Sequence, residues 1–151
     1  MIYLMRHADA VSDEEDPLRP LSAKGRDQIA RVCRNLAKGP GFAPAEVWHS
    51  PLARSRETAE LLIGGLGLLS LLLLKPGLMP DNDPGPIAAA LTAETRDIAV
   101  VGHEPHLGVL ASLIVHGPRH RGIFFPFSKA GLLALARNGE RWEAGWIVRS
   151  P

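Results

Sequence analysis

Two stretches of the chain are apolar without interruption and then stop at a histidine. Met1-Ile2-Tyr3-Leu4-Met5 runs into Arg6-His7, and Ile98-Ala99-Val100-Val101 passes through Gly102 into His103. A short, continuously apolar run is the mark of a strand buried on both faces of a parallel sheet. Between and after these strands the period changes. Leu21, Ile29, Val32, Cys33 and Leu36 recur at helical spacing behind Ser22, an N-cap residue, which predicts a helix from about Ser22 to Ala37, ended by Gly39-Pro40-Gly41. A short strand at Glu46 to His49 stops at Ser50-Pro51, and Leu52 to Leu62 reads as a helix with Pro51 at its start.

Leu61 to Leu74 is apolar enough to suggest a membrane segment, but it holds Gly64, Gly65, Gly67 and Ser70 and falls short of the ~20 residues that a spanning helix needs. It reads instead as the end of a helix, a turn, and a buried third strand within Leu69 to Leu74. Pro76 to Pro86 is a loop, Ile87 to Ala93 a short helix, and His106 to Val115 a helix closed by Gly117-Pro118. Gly131 to Ala136 and Trp142 to Val148 read as two strands around an Asn138-Gly139 turn. Trp142, Ala144 and Trp146 fall at strand spacing on the last of these and read as core or edge packing. Strands alternating with helices predict an α/β fold: a three-layer, doubly wound, mostly parallel sheet with helices on both faces.

At 151 residues the chain is expected to form one domain, residues 1–151, with a core that needs no metal or disulfide staple. A formal charge of +1, with both signs interspersed, gives no electrostatic case for a nucleic-acid partner. The single Cys33 excludes an internal disulfide and suits a reducing compartment. Met1 leads straight into a strand with no basic segment before an apolar one, so no signal peptide is expected. These features predict a cytoplasmic protein with no membrane partner, and nothing demands more than a monomer.

Candidate chemistry sits where strands end and helices begin. Open α/β sheets place ligands at the carboxyl ends of their strands, and there the chain delivers Arg6, His7 and His103. Arg54 falls in the first turn of a helix, where positive charge is mildly unfavourable and an anion would supply the reason for it. Two guanidiniums, two imidazoles and helix-start amides suit a group with several anionic oxygens, phosphate above all, whose oxygens match Arg forks. A neutral imidazole can attack phosphorus and hold the phosphoryl group covalently while cationic donors stabilise the charge on its oxygens. Arg6-His7 occupies the place where a nucleotide-binding glycine loop would lie. His103-Glu104-Pro105-His106 has the wrong spacing for a zinc-protease motif, and neither a metal nor a cofactor is expected, although His116 and His120 lie nearby in sequence.

In order along the chain these residues resemble the motifs of a known family. Leu4-Met5-Arg6-His7-Ala8 is similar to the signature of the histidine phosphatase superfamily, whose fold is phosphoglycerate-mutase-like. Ser50-Pro51-Leu52-Ala53-Arg54-Ser55-Arg56-Glu57-Thr58-Ala59 resembles its second motif, Val101-Gly102-His103-Glu104-Pro105 its third, and Arg19-Pro20-Leu21-Ser22-Ala23-Lys24-Gly25-Arg26 the usual approach to its first helix. The resemblance implies that His7 is the phosphorylated nucleophile, that Arg6 and Arg54 clamp the phosphoryl oxygens, and that His103 completes the pocket. The minimal length and the Arg-His-Ala and Gly-His-Glu-Pro forms are most similar to the small phosphohistidine phosphatases of the SixA type.

The departure from relatives that act on phosphate esters is the general acid. The region where they carry a carboxylate offers only Asp81 and Asp83, in a Pro-Asp-Asn-Asp-Pro turn. A site short of an acid favours a phosphoramidate, whose imidazole leaves far more easily than an alkoxide. The expected partner is therefore a phosphorylated protein, with protein phosphohistidine as substrate. A broad phosphomonoesterase acting on small phosphorylated substrates at the same site, and a non-catalytic phosphate-binding regulatory module, remain as alternatives. His49 is a candidate to line the pocket or a structural residue, and Glu104 a candidate to orient His103 or meet substrate. The acidic loop Asp13 to Asp16 and Arg119-His120-Arg121 read as solvated surface, with substrate recognition as the alternative.

Overall fold

A computed structural model describes residues 1–39, 41–120, 122 and 124–150. Pro40, in the predicted helix stop, and Arg121, in the predicted basic segment, lie outside the described residues. The elements in chain order are β1 (Ile2–Arg6), α1 (Ala23–Lys38), β2 (Glu46–His49), α2 (Ala53–Leu66), β3 (Leu71–Leu74), α3 (Gly85–Ala93), β4 (Ile98–Gly102), α4 (His106–His116), β5 (Leu132–Asn138) and β6 (Arg141–Val148). They form one six-stranded sheet in the order β3-β2-β4-β1-β5-β6. The neighbours from β3 to β1 pair in parallel, and β5 and β6 add an antiparallel hairpin beyond β1. The sequence-derived α/β fold with a mostly parallel sheet is therefore the observed one.

Alternation along the buried strands feeds two cores. Ile2, Leu4, Ile98 and Val100 face one side and pack with Ile87 and Leu91 of α3 and Leu107, Leu110 and Ile114 of α4. Tyr3, Met5, Ala99 and Val101 face the other, against Ile29, Val32 and Leu36 of α1 and Ala59 and Leu62 of α2. Helix α1 begins as its sequence dictates: the Ser22 hydroxyl accepts the Gly25 N–H at 3.0 Å. Helix α2 begins differently. Its N-cap is Leu52, two residues before Arg54, and no side chain caps it.

One expectation needs correction. The third strand is not buried: β3 is the edge of the sheet, with Leu71 60% and Leu74 57% exposed. An unbroken leucine run cannot by itself distinguish a central strand from an edge one. No helix among the described residues is long and apolar enough to cross a membrane. Trp142 and Trp146 do pack on the core, but on opposite layers, because Leu133 pairs with Ile147 while Leu135 pairs with Ala144. The extra residue on β6 is a bulge, and it reverses which side chains face which layer. Trp142 thus joins the core beneath α3 and α4, and Trp146 packs on the opposite core beside Tyr3.

Gly25 marks the tightest joint between layers. A Cβ there would stand 2.0 Å from the Asp9 carbonyl oxygen, a backbone atom that cannot swing aside. Gly25→Ala is expected to cost about 1–3 kcal/mol, as overpacking of a tight contact does, read as a lower urea midpoint at unchanged slope. Gly64→Ala, which meets nothing within 4 Å on α2, is expected to raise stability by about 0.5–1 kcal/mol through helix propensity. Equal effects from the two substitutions would contradict this account of the joint.

Candidate active site

Strand register brings the first imidazoles together. β1 and β4 are adjacent and parallel with Arg6 opposite Gly102, so the next residues, His7 and His103, leave the sheet side by side. Their ring centroids are 5.0 Å apart and tilted by 52°. The ladder continues one step past the strands, since the His7 N–H donates to the Gly102 carbonyl at 3.0 Å. The neighbouring register sets β2 beside β4 with His49 opposite Val101, which puts Ser50 next to the end of β4 as well.

Both imidazoles are buried, His7 6% and His103 2% exposed. Burial pushes the His7 pKa down to about 4, helped by the Arg54, Arg6 and Lys129 charges. Burial pushes that of His103 down to about 3, with His7 and the Arg54 charge adding to it. Each ring is therefore neutral at physiological pH. One nitrogen of each ring is spoken for. Nδ1 of His7 is 2.7 Å from the Ala8 carbonyl oxygen, which can only accept, so Nδ1 carries the proton and Nε2 keeps its lone pair. Nε2 of His103 is 2.6 Å from the Ser50 hydroxyl, and its Nδ1 is buried without a partner.

The guanidiniums come from different elements. Arg6, at the end of β1, donates through Nη1 to the Phe127 carbonyl at 2.9 Å. Arg54, in the first turn of α2, finds no hydrogen-bond or ion-pair partner among the described residues, and its pKa is lowered by burial and by the Arg19 guanidinium. The Nε atoms of Arg6 and Arg54 are, like Nδ1 of His103, buried without a hydrogen bond. Two buried guanidinium nitrogens and one imidazole nitrogen left open in this way are what an oxyanion would satisfy. The structure thus brings the two imidazoles together and leaves both guanidiniums with open donors.

Small hydroxyl side chains fix these groups, and sequence reasoning passed over them. The Thr58 hydroxyl accepts the Ala8 N–H at 3.1 Å and donates to the Arg54 carbonyl at 2.7 Å, so one side chain joins the loop after His7 to the helix turn that carries Arg54. Ser55 accepts the Ser50 N–H at 3.0 Å and donates to the Val101 carbonyl at 2.8 Å. Ser55, Thr58, Ala59 and Leu62 form the buried stripe of α2. Two polar residues at i and i+3 on an otherwise apolar stripe were the signal that could have revealed them. Asp9 anchors the other side of the loop: its carboxylate accepts from Lys129 at 2.6 Å and Ser22 at 2.7 Å, and its N–H donates to Gln28 at 2.9 Å. The bond to Lys129, and then that to Ser22, hold its carboxyl below the usual carboxylate range.

The candidate acids sit in the loop before α3. Asp81 and Asp83 are both exposed, and Asp83 accepts the Gly85 N–H at 2.9 Å where α3 begins. The Asp83 charge acts on buried His106, and does not figure among the charges acting on His7 or His103. Glu104 accepts the Gly108 N–H at 2.9 Å, and burial raises its pKa. His49 is buried with Nδ1 2.8 Å from the Ser50 carbonyl oxygen. Of the acidic loop, Asp13 lies 3.4 Å from Arg19 and so borders Arg54. Among the described residues no group of three or more His, Cys, Asp or Glu side chains is placed to hold a metal ion.

The sequence profile of the histidine phosphatase superfamily (branch 1) matches residues 2–79. Phosphohistidine phosphatase SixA of Escherichia coli (strain K12) is 33% identical over 121 residues, spanning 77% of this chain and 74% of that one. An uncharacterized protein of Picosynechococcus sp. is 32% identical over 151 residues, covering 95% of this chain and 88% of the other. Among solved structures, protein histidine phosphatase SixA complexed with tungstate superposes with a TM-score of 0.85 at 24% identity, over 99% of this chain and 96% of that one. At that identity the likeness establishes the fold.

The neutral imidazoles make stability depend on pH. Above about pH 6.5 neither the folded nor the unfolded chain protonates them, and they contribute no slope. As pH falls through 6.5 the unfolded chain takes up protons that the folded one refuses until about pH 4 for His7 and about pH 3 for His103. Stability is therefore lost on acidification, by about 1–2 kcal/mol for each ring at pH 5. Urea midpoints at pH 7.5 and 5.0 check this: His7→Gln is expected to show a smaller drop than the parent, and an identical drop would refute it.

Proposed function

Because the chain belongs to the histidine phosphatase superfamily, we propose that it removes phosphoryl groups from protein phosphohistidine through a phosphohistidine of its own on His7. The observation that carries this reading is the pairing of the neutral His7, committed through Nδ1 to Ala8 so that Nε2 is free to attack, with three buried, unpartnered donors on Arg6, Arg54 and His103. The substrate class comes from the phosphohistidine phosphatase that the chain resembles over most of its length and from the chemistry of the leaving group.

The substrate phosphoryl group sits among the guanidiniums of Arg6 and Arg54 and the free N–H of His103. Nε2 of His7 attacks phosphorus in line. The P–Nε2 bond forms as the bond to the substrate imidazole breaks. That ring, protonated on its second nitrogen, leaves neutral, so no carboxylic acid is required to protonate it. Among the described residues no carboxylate hydrogen-bonds to either His7 or His103, which fits such a substrate better than an alkyl ester. Water then attacks the phosphorylated His7, its proton passes to solvent, and inorganic phosphate departs with His7 restored. Donors in a buried site stabilise the charge on the equatorial oxygens through both steps without having to reorganise.

Incubation with a 32P-labelled phosphohistidine protein is expected to leave alkali-stable, acid-labile label on the parent chain and none on His7→Ala. Arg54→Ala is expected to lower kcat/KM by about 100- to 1000-fold, the usual effect of removing one donor to a developing oxyanion. A panel of phosphoramidates against sugar, nucleotide and simple alkyl phosphates separates this reading from a broad phosphomonoesterase. Phosphoramidates are expected to dominate, with Asp81→Asn and Asp83→Asn unchanged. Fast turnover of an alkyl phosphate that disappears in either variant would assign those residues as the acid and overturn the substrate class.

A further inference from the structure

Ser50 stands at the end of β2, wholly buried, and its hydroxyl oxygen lies 2.6 Å from Nε2 of His103. A hydroxyl has one proton and two lone pairs. One lone pair is met by the Leu52 N–H at 3.3 Å. The proton has one acceptor among the described residues, and that is Nε2 of His103. Were the ring to donate from Nε2 instead, the serine proton would be orphaned at zero exposure, which a buried hydroxyl strongly disfavours. The hydroxyl therefore donates, and a neutral ring that accepts on Nε2 carries its own proton on Nδ1. Nδ1 is the buried ring atom that has no partner.

We propose that Ser50 is a positioning residue that locks His103 in the Nδ1–H tautomer, so that its one open N–H serves the phosphoryl oxygens. With Ser50 absent, the ring would be free to place its proton on Nε2 and to turn a lone pair toward the anion, an acceptor where a donor is needed. The two histidines are thus set in complementary ways. Ala8 takes the proton of His7 on Nδ1 so that Nε2 can attack, while Ser50 fills Nε2 of His103 so that Nδ1 can donate. Ser50 is itself held: its N–H donates to the Ser55 hydroxyl at 3.0 Å, which in turn donates to the Val101 carbonyl at the end of β4. The inference rests on the phosphatase reading for the identity of the anion, though not for the tautomer.

The test uses the full chain with 15N-labelled histidine. In the resting protein at pH 7.5, His103 is expected to show its proton on Nδ1; a proton on Nε2 overturns the proposal without any variant being made. In Ser50→Ala the ring is expected to leave that tautomer, inorganic phosphate to bind about tenfold more weakly, as loss of one hydrogen bond to a charged group implies, and kcat to fall on the order of 10- to 100-fold. Ser50→Thr keeps the hydroxyl and is expected to restore the tautomer and most of the phosphate affinity, a rescue that mere filling of space would not give. A Ser50→Ala protein that keeps the Nδ1 proton and binds phosphate within twofold of the parent overturns the proposal. If the tautomer and phosphate results come out as expected while His7 takes no label from protein phosphohistidine, the substrate assignment fails and the role of Ser50 stands. Should Ser50→Ala not fold, the parent spectrum and Ser50→Thr decide.

Discussion

The backbone ladder between β1 and β4 is the constraint on which the rest depends. Two parallel strands in fixed register must deliver their following residues to neighbouring places, and both strands are followed by histidine. A one-residue slip would exchange the faces of every buried side chain on β1. Tyr3 and Met5 belong to one core and Ile2 and Leu4 to the other, so packing on both layers forbids it. The precision of the site is thus secured by the same apolar burial that holds the sheet together. No loop has to find its place unaided. The segment after His7 is held on one side by Thr58 of α2 and on the other by Ser22, Gly25 and Gln28 of α1.

Burial has a second effect, on charge. Water excluded from the strand ends leaves both imidazoles neutral and leaves donors of Arg6, Arg54 and His103 without partners. A folded chain seldom leaves buried polar groups unmet. Three of the unmet groups come from separate elements, and the charges of both guanidiniums act on both imidazoles, a grouping that suits a multiply charged anion. The uncapped start of α2 works in the same direction, because its first amides have no side-chain acceptor. Arg54 near a helix start, unfavourable in isolation, makes sense within such a cluster.

Much of this was legible in the chain. His7 and His103 were visible because each follows an apolar run with no polar interruption, and Arg54 because its charge opposes the helix dipole. The helix at Ser22 was legible through its cap. Less legible was anything decided by a neighbour distant in sequence. β3 looks like an interior strand because leucines carry no mark of which edge they occupy. The bulge in β6 depends on hydrogen bonds to β5 and leaves no periodic trace, so Trp142 and Trp146 part company unannounced. Ser50, Ser55 and Thr58 sit within a recognisable motif, yet their partners lie some fifty residues away, on β4, or on the loop after β1. Hydroxyls act through whoever faces them, and one-dimensional spacing does not show who that is.

The neutrality of the two rings carries a consequence for the end of the catalytic cycle. With His7 and His103 uncharged, the positive charge nearest the pocket is that of two guanidiniums, and one orthophosphate dianion balances it. The complementarity that draws a phosphorylated group inward does not distinguish it from the phosphate set free. On the proposed reading, the departing ion is thus a competitor for its own birthplace, and the pace of the enzyme is tied to how much free phosphate surrounds it.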